Sequence, residues 1–256
     1  MLLLALTLGA LASAARAGEA RCWVDRGAVV VSAAAGDLAG DFILDLSAPK
    51  SLLHETKAEE AGLAAPEAPL PLRVAGERLG TVSFTVADLD ARQWGFPTNI
   101  VGVIGADALA GRVLDLTLRP CRLTLWPGRP RPAPTGATLP IAWIDDIPTV
   151  AAAVADAHTA RAGRFAIDTG SAGVRLASSA AALSRAPPAG ADPASRTDPP
   201  ARLAAVSLAG AVIQNAPAGL DPDAPPGVLG ELGAAIWSGY RLRIDLRRNQ
   251  LLLTCP

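Results

Sequence analysis

The chain has 256 residues, half of them hydrophobic, which is enough for one large domain or for two lobes with cores of their own. A formal net charge of −1 and the absence of any basic run exclude nucleic acid as an expected partner. With 24 glycines and 22 prolines, and β-branched residues in short scattered runs, the text favours strands and turns over long helices.

Residues 1–17 read as a signal peptide. Met1 to Ala14 is almost wholly apolar, and Ala15-Arg16-Ala17 fits a small-x-small cleavage site. The run is short for a bilayer span, and no later run is long and apolar enough to cross one. An exported protein, periplasmic or extracellular, is the expectation. From Gly18 the text alternates strands and turns. Val29 to Val31 and Asp41 to Asp45 form a pair around Gly36 to Gly40. Leu52 to Leu63 reads as a short helix capped by Ser51. Leu72 to Val74 and Val82 to Val86 flank Gly76 to Gly80, and Val101 to Leu109 reads as a strand feeding a helical turn. Val113 to Leu116 and Leu123 to Trp126 close a hairpin. The proline-rich stretch around Pro127 to Pro134 marks a linker, taken as 130–138, between a first lobe at 18–129 and a second at 139–256.

After the linker the order repeats. Phe165-Ala166-Ile167-Asp168 matches Phe42-Ile43-Leu44-Asp45, which lies 123 residues earlier. Gly227-Val228-Leu229-Gly230 matches Gly102-Val103-Ile104-Gly105 at an offset of 125, and Asp245 matches Asp115 at 130. A duplicated unit with small loop insertions produces such ordered landmarks.

The densest chemistry lies at Asp168-Thr169-Gly170-Ser171. An apolar strand ends in an acid where the chain leaves the core, and a carboxylate there is costly to desolvate unless donors satisfy it. Thr169, Gly170 and Ser171 supply hydroxyls and close-approaching N–H groups. The first copy reads Asp45-Leu46-Ser47-Ala48. This pattern, with apolar–apolar–Gly later in each half, resembles the pepsin/retropepsin class of aspartic peptidases, in particular bacterial exported retropepsin-like proteins with two fused lobes. The resemblance implies a mainly β, two-lobed acid-protease fold from an internal duplication, with the site between the lobes. It also implies an aspartic endopeptidase that hydrolyses peptide bonds with a water activated between Asp45 and Asp168. Two close carboxylates share a proton, so that one serves as base and the other as acid. Thr169 would then bond across to the other lobe and Ser171 to Asp168. The implied protein needs no cofactor and no metal, takes a peptide or unfolded protein as substrate, and is expected to be a monomer. The same resemblance places the two chain ends in one sheet and so Cys22 beside Cys255; Cys22 with Cys121 is the competing pairing.

Lobe one departs from the pattern. Leu46 removes a cross-lobe hydroxyl, Ser47 puts a Cβ where the backbone should approach the carboxylates, and Ala48 has no hydroxyl to give. Asp45 is therefore expected to be less well satisfied than Asp168, and the flap after it, between Glu60 and Leu72, to be stunted. These departures motivate an alternative: a catalytically inactive retropepsin-like module that binds peptides or partners. A homodimer in which only the lobe-two sites meet is a third reading. The remaining motifs carry less. The two histidines, His54 and His158, are too few for a zinc hydrolase, and His54 is expected to be solvated. Thr169 stands where a G-x-S-x-G elbow needs glycine. Asp115 and Asp245 read as turn acids bonding backbone N–H groups, Asp107 as a helix cap, and Trp94 as a candidate cleft residue.

Overall fold

The computed structural model describes residues 17–127, 130, 132, 135–156, 158–183 and 201–255. Residues 1–16 of the predicted signal segment and residues 131, 133 and 134 of the predicted linker lie outside the described residues, as do residues 184–200.

The first half runs β1 (Gly18–Asp25), β2 (Ala28–Ala35), β3 (Leu38–Leu44), β4 (Leu52–His54), α1 (Glu55–Glu60), β5 (Glu67–Val74) and β6 (Glu77–Ala87). It continues through α2 (Asp90–Gln93), β7 (Ile100–Ile104), α3 (Ala106–Leu109), β8 (Val113–Leu118) and β9 (Cys121–Trp126). The second half runs β10 (Ala137–Pro140), β11 (Ala142–Ile144), β12 (Ile147–Ala155), β13 (Ala160–Ile167), β14 (Val174–Ala177), a 3₁₀ turn at Ser178–Leu183, β15 (Ala201–Leu208) and β16 (Ala211–Asp221). It ends with β17 (Val228–Leu232), α4 (Ala234–Trp237), β18 (Arg241–Asp245) and β19 (Gln250–Thr254).

Each half closes a small barrel. In lobe one the order β2-β3-β7-β4-β6-β5 returns to β2, and in lobe two β12-β13-β17-β14-β16-β15 returns to β12. Closure leaves few open edges, and the inward residues Val29, Val31, Phe42, Leu44 and Phe84 in lobe one, and Val150, Phe165, Ile167 and Leu203 in lobe two, are buried. β11 pairs with β12 beside the second barrel, and the strands β10-β19-β18-β8-β9-β1 form a sheet under both lobes. Its midline is the antiparallel pair β8–β18, in which Arg243 lies opposite Asp115.

The structural repeat corrects the sequence alignment. Phe42 registers with Gly102 and Phe165 with Gly230. Likewise Asp45 N–H donates to Ile104 O and Asp168 N–H to Leu232 O, each at 3.0 Å. The copy of Val103-Ile104-Gly105 is therefore Glu231-Leu232-Gly233, and Val228-Leu229-Gly230 lies three residues too early. Packing explains the two later glycines: a Cβ on Gly105 would come within 2.8 Å of Ala48 O, and one on Gly233 within 2.7 Å of Ser171 O. The site loops leave no room for a side chain there. The offset stays at this larger value onward, so the twin of Asp115 is Arg243, not Asp245. Asp115 is no turn acid: Arg243 Nε and Nη2 each donate to it at 2.6 Å, and Trp126 Nε1 donates at 3.0 Å. Asp245 does behave as a turn acid, accepting from the Arg247 and Arg248 N–H groups.

Further expectations are overturned. The disulfide joins Cys22 to Cys121, with Cα atoms 5.1 Å apart, and Cys255 is free and exposed. The chain ends do share a sheet, but β1 pairs with β9 while β19 lies between β18 and β10, so Cys22 faces Cys121 and not Cys255. Leu52 to His54 is strand, and α1 starts only at Glu55, capped by His54 Nδ1 accepting from Thr56 N–H. His54 is buried at 3% exposure instead of solvated. Ser51, expected to cap that helix, instead accepts from Gly105 N–H and donates to Asp107 Oδ1. Asp107 in turn accepts from Ala108 N–H, while Gly105 holds the cap position of α3.

Candidate active site

β3 and β13 end side by side at the lobe boundary, so Asp45 and Asp168 leave their barrels at the same level and both line one cleft of about 440 Å³. Both are almost wholly buried, at 2% and 1% exposure. Thr169 binds the two loops together. Its hydroxyl donates to Leu44 O at 2.7 Å and accepts from Leu46 N–H at 3.2 Å, and its carbonyl accepts from Val29 N–H at 2.8 Å. Leu46 contributes its backbone to this junction and its side chain to the core. Gly170 makes the close approach: a Cβ there would stand 2.5 Å from Asp45 Cγ, so only glycine lets the lobe-two loop lie against the lobe-one carboxylate.

The carboxylates are satisfied differently. Asp168 Oδ1 accepts from Gly170 N–H at 2.6 Å and Oδ2 accepts from Ser171 Oγ. Trp237 Nε1, buried beneath, donates to Asp168 O at 3.0 Å and to Leu232 O. Asp45 Oδ1 accepts from both Ser47 N–H at 2.9 Å and Ser47 Oγ at 2.7 Å, while Oδ2 pairs with Arg92 Nη2. The expectation that Asp45 is less well satisfied than Asp168 therefore does not hold: its carboxylate accepts from three donors and that of Asp168 from two. The Ser47 side chain folds back on its own aspartate instead of obstructing the loop, and Arg92 reaches in from α2. Local text carries no sign of Arg92, because its partner lies 47 residues away.

Charge separates the two acids. Burial alone would raise the pKa of Asp45, but the Arg92 charge and hydrogen bond, with the two Ser47 donors, more than offset it and hold that carboxyl below the usual range. Among the described residues, no cation is paired directly with Asp168. Burial, followed by the Asp45 charge, pushes it up to about 7, against the Ser171 and Gly170 hydrogen bonds.

Lobe two adds a charged wall that the sequence reading missed. Glu231 registers with Ala166, and so shares the sheet face of Asp168, two residues further on. It pairs with Arg175 Nε at 3.0 Å, and Arg175 Nη2 lies 3.4 Å from Asp221. Burial first, then the Asp168 charge, pushes Glu231 up to about 8. A glutamate inside the apolar–apolar–Gly pattern disguised the motif. Trp94 is exposed and is not among the residues lining the cleft.

Two closed barrels over a shared sheet, with an aspartate from each meeting at the boundary, define the two-lobed pepsin-like acid-protease fold. Among solved structures the chain is similar to the crystal structure of an aspartic proteinase from Irpex lacteus, with a TM-score of 0.57 and 11% identity over 94% of this chain and 97% of that one. No protein-family model and no curated protein matches the sequence. At that identity the likeness establishes the fold.

Proposed function

We propose that the protein is an aspartic endopeptidase. The observation that carries this reading is the pair of buried carboxylates at one cleft, with Gly170 laid against Asp45 and Thr169 tying the loops. The opposite shifts of the two acids support a division of roles. Asp45, held ionised, takes a proton from a water between the carboxylates as that water attacks the scissile carbonyl carbon. Asp168, which keeps its proton toward neutral pH, donates it to the carbonyl oxygen, giving a tetrahedral diol. In the collapse Asp45 passes its proton to the departing amine and Asp168 regains one from the diol, so both return to their starting states. This chemistry calls for no cofactor. Because Asp168 loses its proton near pH 7, cleavage extends from acid toward neutral pH and falls above it.

The disulfide supports an oxidising compartment, periplasmic or extracellular. No helix among the described residues is long and apolar enough to cross a membrane. Both aspartates come from one chain, which favours a working monomer over a dimer of lobe-two sites.

The test is cleavage of a peptide library by the protein and by Asp45→Asn and Asp168→Asn variants. Each substitution is expected to abolish turnover, and activity retained in either removes this mechanism. Two observations favour the inactive alternative: Arg92 sits on Asp45 Oδ2, and between β4 and β5 the chain forms α1 instead of a hairpin that could cover the cleft. Cleavage blocked by a statine-type peptide, which mimics the tetrahedral species, would dispose of that alternative.

A further inference from the structure

We propose that Arg92 is a positioning residue of the carboxylate pair, the donor lobe one uses in place of the hydroxyl missing at position 48, and that His54 holds the helical turn that carries it. The kinetic part of this proposal rests on the peptidase reading; the electrostatic part does not.

Ala48 and Ser171 are structural twins. Ala48 O accepts from Ala106 N–H at 2.8 Å as Ser171 O accepts from Ala234 N–H at 2.9 Å, each one residue past the glycine that ends its copy of the motif. In lobe two the Ser171 hydroxyl donates to Asp168 Oδ2. Ala48 has nothing to donate, and the corresponding oxygen, Asp45 Oδ2, takes its hydrogen bond from Arg92. A hydroxyl satisfies a carboxylate oxygen without fixing its charge. A guanidinium satisfies it and also favours the ionised form. The substitution of one donor for another therefore makes Asp45 the base and leaves the shared proton on Asp168.

A four-residue turn such as α2 does not hold its own orientation. Buried His54 supplies the anchor. Its Nε2 lies 3.2 Å from Asp90 Oδ1, and the Gln93 amide lies 2.8 Å from the same nitrogen and 2.8 Å from Asp90 Oδ1. Because Thr56 N–H donates to Nδ1, the ring proton falls on Nε2 and is donated to Asp90 Oδ1; the Gln93 amide nitrogen, itself a donor, bonds Asp90 Oδ1 and only packs against Nε2. Asp90 and Gln93 flank Arg92, so fixing both fixes the direction in which the guanidinium leaves the turn. The equivalent connection in lobe two, between β16 and β17, forms no helix and places Asp223 and Pro225 on the cleft.

The charges around Asp45 are Arg92 from α2, Asp168 from the opposite loop, and Arg175 and Glu231 on the lobe-two wall, with Asp221 paired to Arg175. Asp145 and Asp223 line the same cleft further out. Arg92 is the cation bonded directly to it.

The experiment follows the Asp45 carboxyl by carbon-13 NMR through a pH titration, in the folded full-length protein and in Arg92→Ala and Arg92→Gln, with kcat and KM measured over the same range. Loss of an adjacent cation is expected to raise the Asp45 midpoint by about 1–3 pH units. The acid limb of kcat/KM should move with it, costing about tenfold per unit at a fixed pH below the new limb, with KM little changed. Adding Ala48→Ser to Arg92→Ala should return part of the shift. His54→Asn should move the midpoint in the same direction by less; a lower melting temperature with no movement would overturn the role of His54. An unmoved Asp45 midpoint in folded Arg92→Ala overturns the proposal, as does a faster Arg92→Ala enzyme, which would make Arg92 a plug. A shifted midpoint in a protein that cleaves nothing would uphold the electrostatic role of Arg92 and defeat the peptidase reading alone.

Discussion

Leu52, Ala87 and Val103 in lobe one hold the positions that Arg175, Asp221 and Glu231 hold in lobe two. The registers show it: Leu52 pairs with Val103 as Arg175 pairs with Glu231, and His54 faces Ala87 as Ala177 faces Asp221. Lobe one packs these residues with Ile43 and Ile100 in a small apolar cluster. Lobe two builds an ion group whose acids are buried. The same backbone accepts either solution, so the barrel does not require the charges. Lobe one, apolar at this wall, instead brings its cation from the α2 turn and aims it at the aspartate itself. One lobe thus spends its positive charge beside the acid and the other on it, and the two aspartates diverge in charge state as a result.

The largest test of this asymmetry concerns stability. The disulfide joins strands of the lobe-one side alone and closes a separation of 99 residues. Cys121→Ser is expected to lower stability by about 2–5 kcal/mol, and unfolding in urea should split, with lobe one melting first. A single transition at the original midpoint would show that the bond contributes nothing to holding lobe one.

The next effect has a sign set by pH. The folded pKa of Asp168, about 7, lies above its unfolded value, so the native state binds the extra proton. That contribution to stability is complete below the unfolded value near 4 and disappears as pH rises through about 7. Asp168→Asn removes the titration. Relative to the parent, the variant should gain stability on going from pH 4 to pH 7, on the order of 2–4 kcal/mol at 1.36 per unit. Asp45→Asn should do the opposite: a carboxyl held below its ordinary value stabilises the fold above that value, and its loss costs stability at neutral pH. Equal pH profiles for the two variants would erase the distinction between the acids.

The architecture was legible because short apolar runs bounded by glycine and proline recur in one order, and a duplicated order constrains the fold more than any single run. Asp168 was legible because its hydroxyl and glycine neighbours are adjacent in sequence. What escaped is what depends on register or on distant side chains. Glu231-Leu232-Gly233 was hidden by a charged residue in an apolar motif, while Val228-Leu229-Gly230 imitated it nearby. Asp115 and Asp245 look alike in text, yet only the strand pairing shows that Asp115 faces Arg243. Cys22 finds Cys121 because β1 lies on β9, a neighbour relation that no spacing announces. Arg92 and His54 act through contacts across loops, and helix-like text at Leu52 concealed a strand whose last residue anchors α2.

The smallest of these effects bears most directly on the comparison, since it asks whether lobe two could be rebuilt as lobe one. Arg175→Leu alone leaves Asp221 and Glu231 buried without their cation. Breaking a fully buried pair costs about 3–5 kcal/mol, but the Arg175 side chain is 45% exposed and partly screened, so about 1–3 kcal/mol is expected. The triple variant Arg175→Leu, Asp221→Ala, Glu231→Val copies the lobe-one residues position for position. Replacing an ion group with apolar residues of fitting shape is often neutral or stabilising, so the triple variant should recover most of what the single one loses, as read by urea unfolding. It should also raise the Asp168 midpoint, because the Arg175 cation that favours its ionised form is gone, while in the parent Glu231, pushed up to about 8, still holds its proton as Asp168 titrates near 7 and opposes it little. A triple variant as unstable as the single one would mean that the barrel of lobe two has come to depend on its charges, and that the two walls are no longer interchangeable.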